Sequence, residues 1–149
     1  MRIKVLSFDV GKKCTGWSVY NGKFDKKEMG EFKFESLMQY REKVEHIIVK
    51  YDPDVVTYSR TIVMNRKAMH DLCFLMAMVE EACERINTLC YPTNDATCRA
   101  FIKSKGKSDT LAWAKKQLKD TKFLRGKQDV ADSMIFGLKV YDQFKKENS

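Results

Sequence analysis

Three aspartates from the two ends of the chain are the residues best suited to carry chemistry. Asp9 interrupts an apolar run at residues 3–10, whose composition is typical of a strand buried on both faces. A buried charge is unfavourable unless it is paired or binds a metal ion. Asp129 and Asp132 begin a later amphipathic segment, and their i,i+3 spacing puts both carboxylates on one side of a helix.

The chemistry of such a site depends on its oxygen donors. Three carboxylates at one point form a hard-oxygen site, for which Mg²⁺ or Mn²⁺ is the natural ion. Two such ions, roughly 3.5–4 Å apart, can hold the attacking and leaving oxygens of a phosphodiester. The aspartates could instead simply cap a turn and a helix N-terminus, which favours anions. The apolar residues at 130–138 favour a core-packed helix that brings Asp129 and Asp132 to the strand end near Asp9.

The composition limits the number of domains and the kind of partner. The chain has 149 residues and a net charge of +8. These values predict one domain over residues 1–149 and favour a polyanionic partner, nucleic acid first. No run is long and apolar enough to cross a membrane, and the N-terminus lacks a signal-peptide pattern. Five cysteines without C-x-x-C spacing, alongside two histidines, predict buried, reduced thiols in a cytosolic protein rather than a zinc site.

The order of the predicted elements indicates an α/β fold with a five-stranded mixed sheet flanked by helices. Asn21-Gly22 between two alternating segments predicts a hairpin with a type I′ turn. Ser36 and Gln39 have the spacing of a helix-capping box. Strands are expected within residues 4–11, where the strand ends at Asp9, and at 15–20, 24–34, 54–59 and 88–91. Helices are expected at 37–52, 65–87, 95–102, 108–118 (with Ser108 as N-cap) and from 128 onward.

This layout resembles the RNase H-like nuclease superfamily, and within it the RuvC-type Holliday junction resolvases, particularly phage-encoded ones. The residues that carry the resemblance are FDVGKKCTGWSVY at 8–20, the segment 60–66 before a long helix, and DVADS at 129–133. The resemblance implies a homodimer in the host cytoplasm that binds four-way DNA junctions and cuts two opposed strands symmetrically. It also implies that Asp9 is the first metal ligand and that Asp129 and Asp132 are the C-terminal acidic pair.

One position departs from the family pattern. The family has a glutamate at the end of the fourth strand, where this chain has Ser59. A neutral hydroxyl is a weak ligand and cannot replace a carboxylate that bridges two divalent ions. Three explanations stay open: an inactivating substitution, a carboxylate such as Asp71 or Asp95 that reaches the site, or junction binding without cleavage. We favour the first, because the rest of the site is intact, and expect a chain that binds DNA but cleaves it poorly.

Basic residues are expected to contact DNA phosphates around this site. In the segment 103–107, Gly106 allows close approach of the backbone, and the neighbouring lysines neutralise phosphates without reading sequence. The family carries basic residues in this region near the scissile phosphate, which makes Lys107 the candidate catalytic lysine. The other candidate DNA-binding residues are Lys12, Lys13, Arg60, Arg66, Lys67, Arg99, Lys103 and Lys105.

The long helix at 65–87 has more apolar residues than one core-facing stripe requires. Met69, Phe74 and Met78 lie off the stripe and predict a second buried face. The resemblance puts the dimer interface on this helix. A two-fold axis would hold two sites for paired cuts on a symmetric junction.

Three other functions each fit part of the sequence. A non-catalytic junction-binding protein accounts for Ser59. A small RNA-processing nuclease of the same fold has a similar length and opening strand, but the segment 60–66 and the long apolar helix favour the resolvase. The Asp-x-Gly and Thr-Gly of residues 9–16 also resemble the first phosphate loop of sugar kinases. Those kinases need two copies of the fold and a second glycine-rich loop, whereas this sequence has one copy and no second loop of that kind.

Overall fold

The computed structural model describes residues 2–120 and 122–148. Residues 1, 121 and 149 of the predicted domain lie outside the described residues. The predicted α/β class is confirmed, because a five-stranded mixed sheet is flanked by helices. In chain order the elements are β1 Val5–Asp9, β2 Thr15–Tyr20, β3 Phe24–Phe32, α1 Leu37–Tyr51, β4 Val55–Tyr58, α2 Arg66–Ile86, β5 Leu89–Cys90, α3 Asp95–Phe101, α4 Lys107–Leu118 and α5 Gln128–Glu147.

The strand order is β3-β2-β1-β4-β5, which puts β1 at the centre of the sheet. β1 pairs antiparallel with β2 and parallel with β4, and β4 pairs parallel with β5. β2 pairs antiparallel with β3. The central position explains the continuous apolar run, because Leu6 and Phe8 on one face and Val5 on the other are fully buried.

The two faces of the sheet are covered by different helices. Leu6, Phe8 and Val56 belong to the core cluster that includes residues of α1 and α2. On the opposite face, Val5 packs with Val140 of α5. The Ser7 hydroxyl, on this same face, donates to the backbone carbonyl of Ser133 at 2.6 Å. Since side chains alternate along a strand, Asp9 shares the face of Val5 and Ser7 and is directed towards α5.

Helix ends agree with the sequence at some positions and differ at others. The predicted cap of α1 is confirmed, since Ser36 Oγ accepts a hydrogen bond from the Gln39 backbone N–H at 3.1 Å. The predicted N-cap Ser108 is wrong, because α4 begins at Lys107 and its N-cap is Gly106. The carboxylate of Asp109, in the first turn of α4, accepts a hydrogen bond from the Lys105 backbone N–H at 2.9 Å. No helix in the described part of the chain is long and apolar enough to span a membrane.

The prediction of buried cysteines is correct for Cys83 and Cys98. It is wrong for Cys73, which is exposed on α2, and Cys14 and Cys90 are half-buried.

The hairpin predicted at Asn21-Gly22 forms, but the prediction of a type I′ turn is wrong. That turn requires a positive φ at both central residues. Gly22 has a φ of 106°, whereas Asn21 does not have a positive φ. The connection runs over residues 21–23 between β2 and β3. The extra loop residue lets the chain turn with a single left-handed position, which glycine supplies without strain.

Candidate metal centre

The three aspartates lie together at one end of the sheet. One carboxylate oxygen from each of Asp9, Asp129 and Asp132 lies within 4.8 Å of the other two. Asp9 is the last residue of β1, and the other two belong to the first two turns of α5. Asp132 is buried, and Asp9 and Asp129 are half-buried. Carboxylates separated by well over a hundred positions in the chain therefore share one partly enclosed site.

Gly16 determines how closely α5 approaches the strand that carries Asp9. Gly16 pairs with Asp9 across β1 and β2. A Cβ atom added at Gly16 would overlap the backbone carbonyl of Asp129. The first turn of α5 thus rests directly on the backbone of β2, and this contact holds Asp129 beside Asp9.

The electrostatics of the site disfavour three negative charges without a cation. Burial raises the pKa of Asp9 well above its ordinary value, and the charges of Asp132 and Asp129 raise it further. Burial also raises the pKa of Asp129, although a hydrogen bond with Asp9 and the charge of Lys107 partly offset this. Burial likewise raises the pKa of Asp132, whose Oδ1 accepts from Gln128 Nε2 at 3.0 Å. A cation bound among the three carboxylates would remove this repulsion.

The donor set fits a hard divalent cation. All three donors are carboxylate oxygens, which suit Mg²⁺ and Mn²⁺ and are poor partners for soft metals. Two oxygens that share one Mg²⁺ lie at most about 4.2 Å apart, twice the usual Mg–O distance. The three carboxylate oxygens lie within 4.8 Å of one another, so small side-chain rotations would bring them to one ion.

Comparison with known proteins identifies the fold. No protein-family model and no curated protein matches the chain. Among solved structures, Thermus thermophilus RuvC bound to a Holliday junction superposes with a TM-score of 0.78 at 12% identity, over 91% of this chain and 90% of that one. The chain has the fold of RuvC.

Two other Holliday junction resolvases share this fold. The fowlpox virus resolvase in complex with junction DNA gives a TM-score of 0.67 at 15% identity, over 95% of this chain and 99% of that one. The yeast mitochondrial resolvase gives 0.53 at 16% identity, over 97% of this chain and 84% of that one. The match to RuvC-type proteins therefore extends over nearly the whole chain.

In this RuvC fold, Ser59 lies next to Asp9. β1 and β4 pair in parallel up to Phe8 and Tyr58, and Asp9 and Ser59 are the next residues of the two strands. The alternation of the strands directs both side chains to the face covered by α5. Ser59 is only 3% exposed. Its hydroxyl has no hydrogen-bond partner among the described residues.

The two acids proposed from the sequence to replace the missing glutamate have other partners. Asp71 accepts from Lys12 Nζ at 2.8 Å on the surface of α2. Asp95 forms an ion pair with Arg99 at 3.4 Å, although its charge still raises the pKa of Asp9 and Asp132. Neither belongs to the acidic groups that could hold a metal ion in the described part of the chain.

Glu31 is an acidic residue near the site that the sequence reasoning missed. One oxygen of its carboxylate lies within 4.8 Å of Asp129 and of Cys14 Sγ. β3 brings it there, because Glu31 pairs with Gly16, which in turn pairs with Asp9. The sequence carried no usable signal for this position, because an irregularity in the β2–β3 pairing between Ser18 and Tyr20 shifts the register. Strict alternation counted from the turn would have directed Glu31 to the opposite face.

Most of the candidate basic residues lie in loops and helix starts near this end of the sheet, whereas Arg99 lies in the last turn of α3. Lys107 begins α4, and its charge lowers the pKa of Asp129. Lys12 bonds Asp71 of α2 and lies in one groove with Lys67. Arg60 and Arg99 are engaged in ion pairs with Glu80 and Asp95. The exposed candidates are Lys12, Lys13, Arg60, Arg66, Lys67, Lys103, Lys105 and Lys107, whereas Arg99 is half-buried.

Proposed function

We propose that this chain is a divalent-metal-dependent endonuclease that resolves four-way DNA junctions, acting as a single nuclease domain over residues 1–149. The observation that carries the proposal is the meeting of Asp9 with Asp129 and Asp132, within 4.8 Å, on a fold shared with Holliday junction resolvases. A catalytic carboxylate cluster on this fold accounts for the buried charges, which would otherwise only destabilise the protein.

The residues of the cluster have separate roles in this proposal. Asp9, Asp129 and Asp132 hold Mg²⁺ or Mn²⁺. Bound divalent ions supply charge stabilisation to the attacking and leaving oxygens of the scissile phosphodiester. Gln128 keeps Asp132 oriented through its hydrogen bond of 3.0 Å. Lys107, whose charge reaches Asp129, offsets the negative charge that develops on the phosphate.

Ser59 lowers the activity expected of this site. The hydroxyl is neutral, and it stands beside Asp9 where a carboxylate would contribute a further anionic ligand. We therefore propose that the chain binds junctions well and cleaves them slowly. Non-catalytic junction binding is the second candidate function, because Ser59 removes one acid from the site.

DNA binding in this proposal uses the basic loops on the same edge of the sheet. Lysines 103, 105 and 107 would contact phosphates near the cut, and Lys12, Lys13, Arg66 and Lys67 would contact a second arm of the junction. Such contacts are independent of sequence, and their affinity falls steeply with salt concentration. The net charge of +8 is consistent with a polyanionic partner.

The test is a nicking assay on labelled four-way junctions with Mg²⁺ or Mn²⁺. We expect paired, symmetric nicks, a rate about tenfold or more higher in Ser59→Glu, and no nicking in Asp9→Asn. Junction affinity, measured by electrophoretic shift with Ca²⁺, should be similar in all three proteins.

Different results would decide between the alternatives. Equal nicking by Ser59→Glu and by the chain itself would refute the role given to Ser59. Absence of nicking in both, with junction affinity intact, would favour the non-catalytic protein. Stronger competition by structured RNA than by junction DNA would favour an RNA-processing nuclease.

A further inference from the structure

Four positions form a row across the sheet beneath the first turn of α5. Asp9 pairs with Gly16, and Gly16 pairs with Glu31. Ser59 adjoins Asp9 on the other side, one residue beyond the last paired position of β4. Residues aligned in this way share one face of a sheet. The row therefore has a neutral hydroxyl at one end and a carboxylate at the other.

Asp129 connects the two acidic groups of the site. One set of ligand atoms, all within 4.8 Å of one another, joins Asp129 with Asp9 and Asp132. A second set, within the same distance, joins Asp129 with Glu31 and Cys14. The charge of Glu31 raises the pKa of Asp129, so the two carboxylates interact. Gly16 carries no side chain between Asp9 and Glu31, which leaves the middle of the row free for Asp129.

Cys14 is a neighbour of Glu31 rather than a metal ligand. Its thiol donates a hydrogen bond to Glu31 Oε2 at 3.4 Å. Burial and the nearby acid raise the pKa of the thiol to about 11. Sulfur is a soft ligand that Mg²⁺ and Mn²⁺ bind poorly, so the hard oxygens of Glu31 and Asp129 are the ligands available to such an ion.

Ser59 supplies the second observation that points to a ligand in this site. Ser59 is only 3% exposed, and no described residue forms a hydrogen bond with its hydroxyl. A buried polar group on the face of Asp9 that the protein itself leaves unsatisfied indicates that something else, such as an ion with its waters, completes the site.

We propose that Glu31 is the fourth acidic ligand of this metal centre and that, in metal binding, it substitutes from the opposite end of the row for the carboxylate missing at Ser59. The inference rests on the proposed metal-dependent nuclease. With Glu31 the site has four carboxylates, which match the charge of two divalent ions, whereas Asp9, Asp129 and Asp132 alone leave a net positive charge.

The test measures Mn²⁺ binding to the full chain by the electron paramagnetic resonance signal of free Mn²⁺, without DNA or turnover. Glu31→Gln should weaken Mn²⁺ binding about tenfold or more and reduce the number of ions bound. Glu84→Gln is the matched control, because Glu84 is an exposed acid of α2, which packs against the opposite face of the sheet. Ser59→Glu in the Glu31→Gln background should restore binding.

Two results would overturn the inference. One is unchanged Mn²⁺ binding by Glu31→Gln while Asp9→Asn loses it, which would leave the proposed function intact. The other is equal loss of binding in Cys14→Ala, which would mean that Glu31 acts through its contact with the thiol. Unchanged binding by Asp9→Asn as well would instead refute the metal centre and the proposed function together. Glu31 is exposed and Gln is isosteric, so the variant should retain the wild-type Tm.

Discussion

At the scale of the residue, the burial of the Asp9 carboxylate is the main electrostatic cost of this site. It is the last residue of the central strand, and burial together with Asp132 and Asp129 raises its pKa well above 3.8. The folded protein therefore keeps a proton on Asp9 at pH values where the unfolded chain has already released it. Folding stability must then fall as pH rises from about 3.8 through the pKa that Asp9 has in the folded protein.

The corresponding prediction concerns the metal-free protein. Asp9→Asn should have a higher Tm than the wild type at neutral pH, and the difference should shrink as pH falls towards 4. Differential scanning calorimetry in EDTA between pH 4 and 8 measures this. Asp52→Asn is the control, since Asp52 is an exposed C-cap in the left-handed region, where Asn is tolerated. A Tm of Asp9→Asn below that of the wild type at neutral pH would contradict the prediction.

At the scale of the element, α5 positions two of the three acids and depends on one close contact. Its first turn rests on Gly16, where any side chain would meet the backbone of Asp129. Further along, Gly137 of α5 lies over Ser7, and a Cβ there would approach Ser7 Oγ to 2.9 Å. Two small residues at the helix–sheet contact thus determine the distance between β1 and α5, and with it the spacing of Asp9 and Asp129.

Gly16→Ala should therefore displace the start of α5. We expect a loss of about 1–3 kcal/mol in the free energy of unfolding, as for other overpacked sites, and weaker Mn²⁺ binding because Asp129 moves away from Asp9. Chemical denaturation and a Mn²⁺ titration measure the two effects. Gly106→Ala is the control, since a Cβ there meets no described atom within 4 Å. Wild-type values for both measurements in Gly16→Ala would contradict the role of this contact.

At the scale of the whole molecule, α2 presents an apolar surface that the chain only partly covers. Of the three residues predicted to lie off its core stripe, Met69 and Met78 are half-buried within the chain, and Met69 Sδ accepts from the Val63 N–H. Phe74 is 52% exposed and lies beside Leu37, which is 40% exposed. We propose that this part of α2 contacts a second copy of the chain and aligns two sites for paired cuts.

Sedimentation velocity tests the dimer. We expect the wild type to sediment at twice its monomer mass of 17.4 kDa and Phe74→Asp to sediment as a folded monomer, because a buried charge without a partner opposes association. Val49→Asp is the matched control, since Val49 is 66% exposed on α1. A monomeric wild type, or a dimer unaffected by Phe74→Asp, would contradict the interface.

The sequence by itself determined the order of the elements, the α/β class and the three aspartates as candidates. Local patterns suffice for these, because strand and helix periodicity, the cap at Ser36 and the i,i+3 spacing of Asp129 and Asp132 depend on neighbouring residues. The predictions of the turn type at Asn21 and of the first residue of α4 were wrong. At both places, alternatives of nearly equal local energy exist, and tertiary packing selects between them.

Only the tertiary structure decided which distant residues meet. The pairing of β2 with both β1 and β3 brings Glu31 into the row of Asp9, and nothing local to Glu31 marks it as different from the other exposed acids of the chain. The unpartnered hydroxyl of Ser59 likewise depends on burial by elements remote in sequence. Contacts across a sheet depend on register and on the helix packed above it, which are properties of the whole fold.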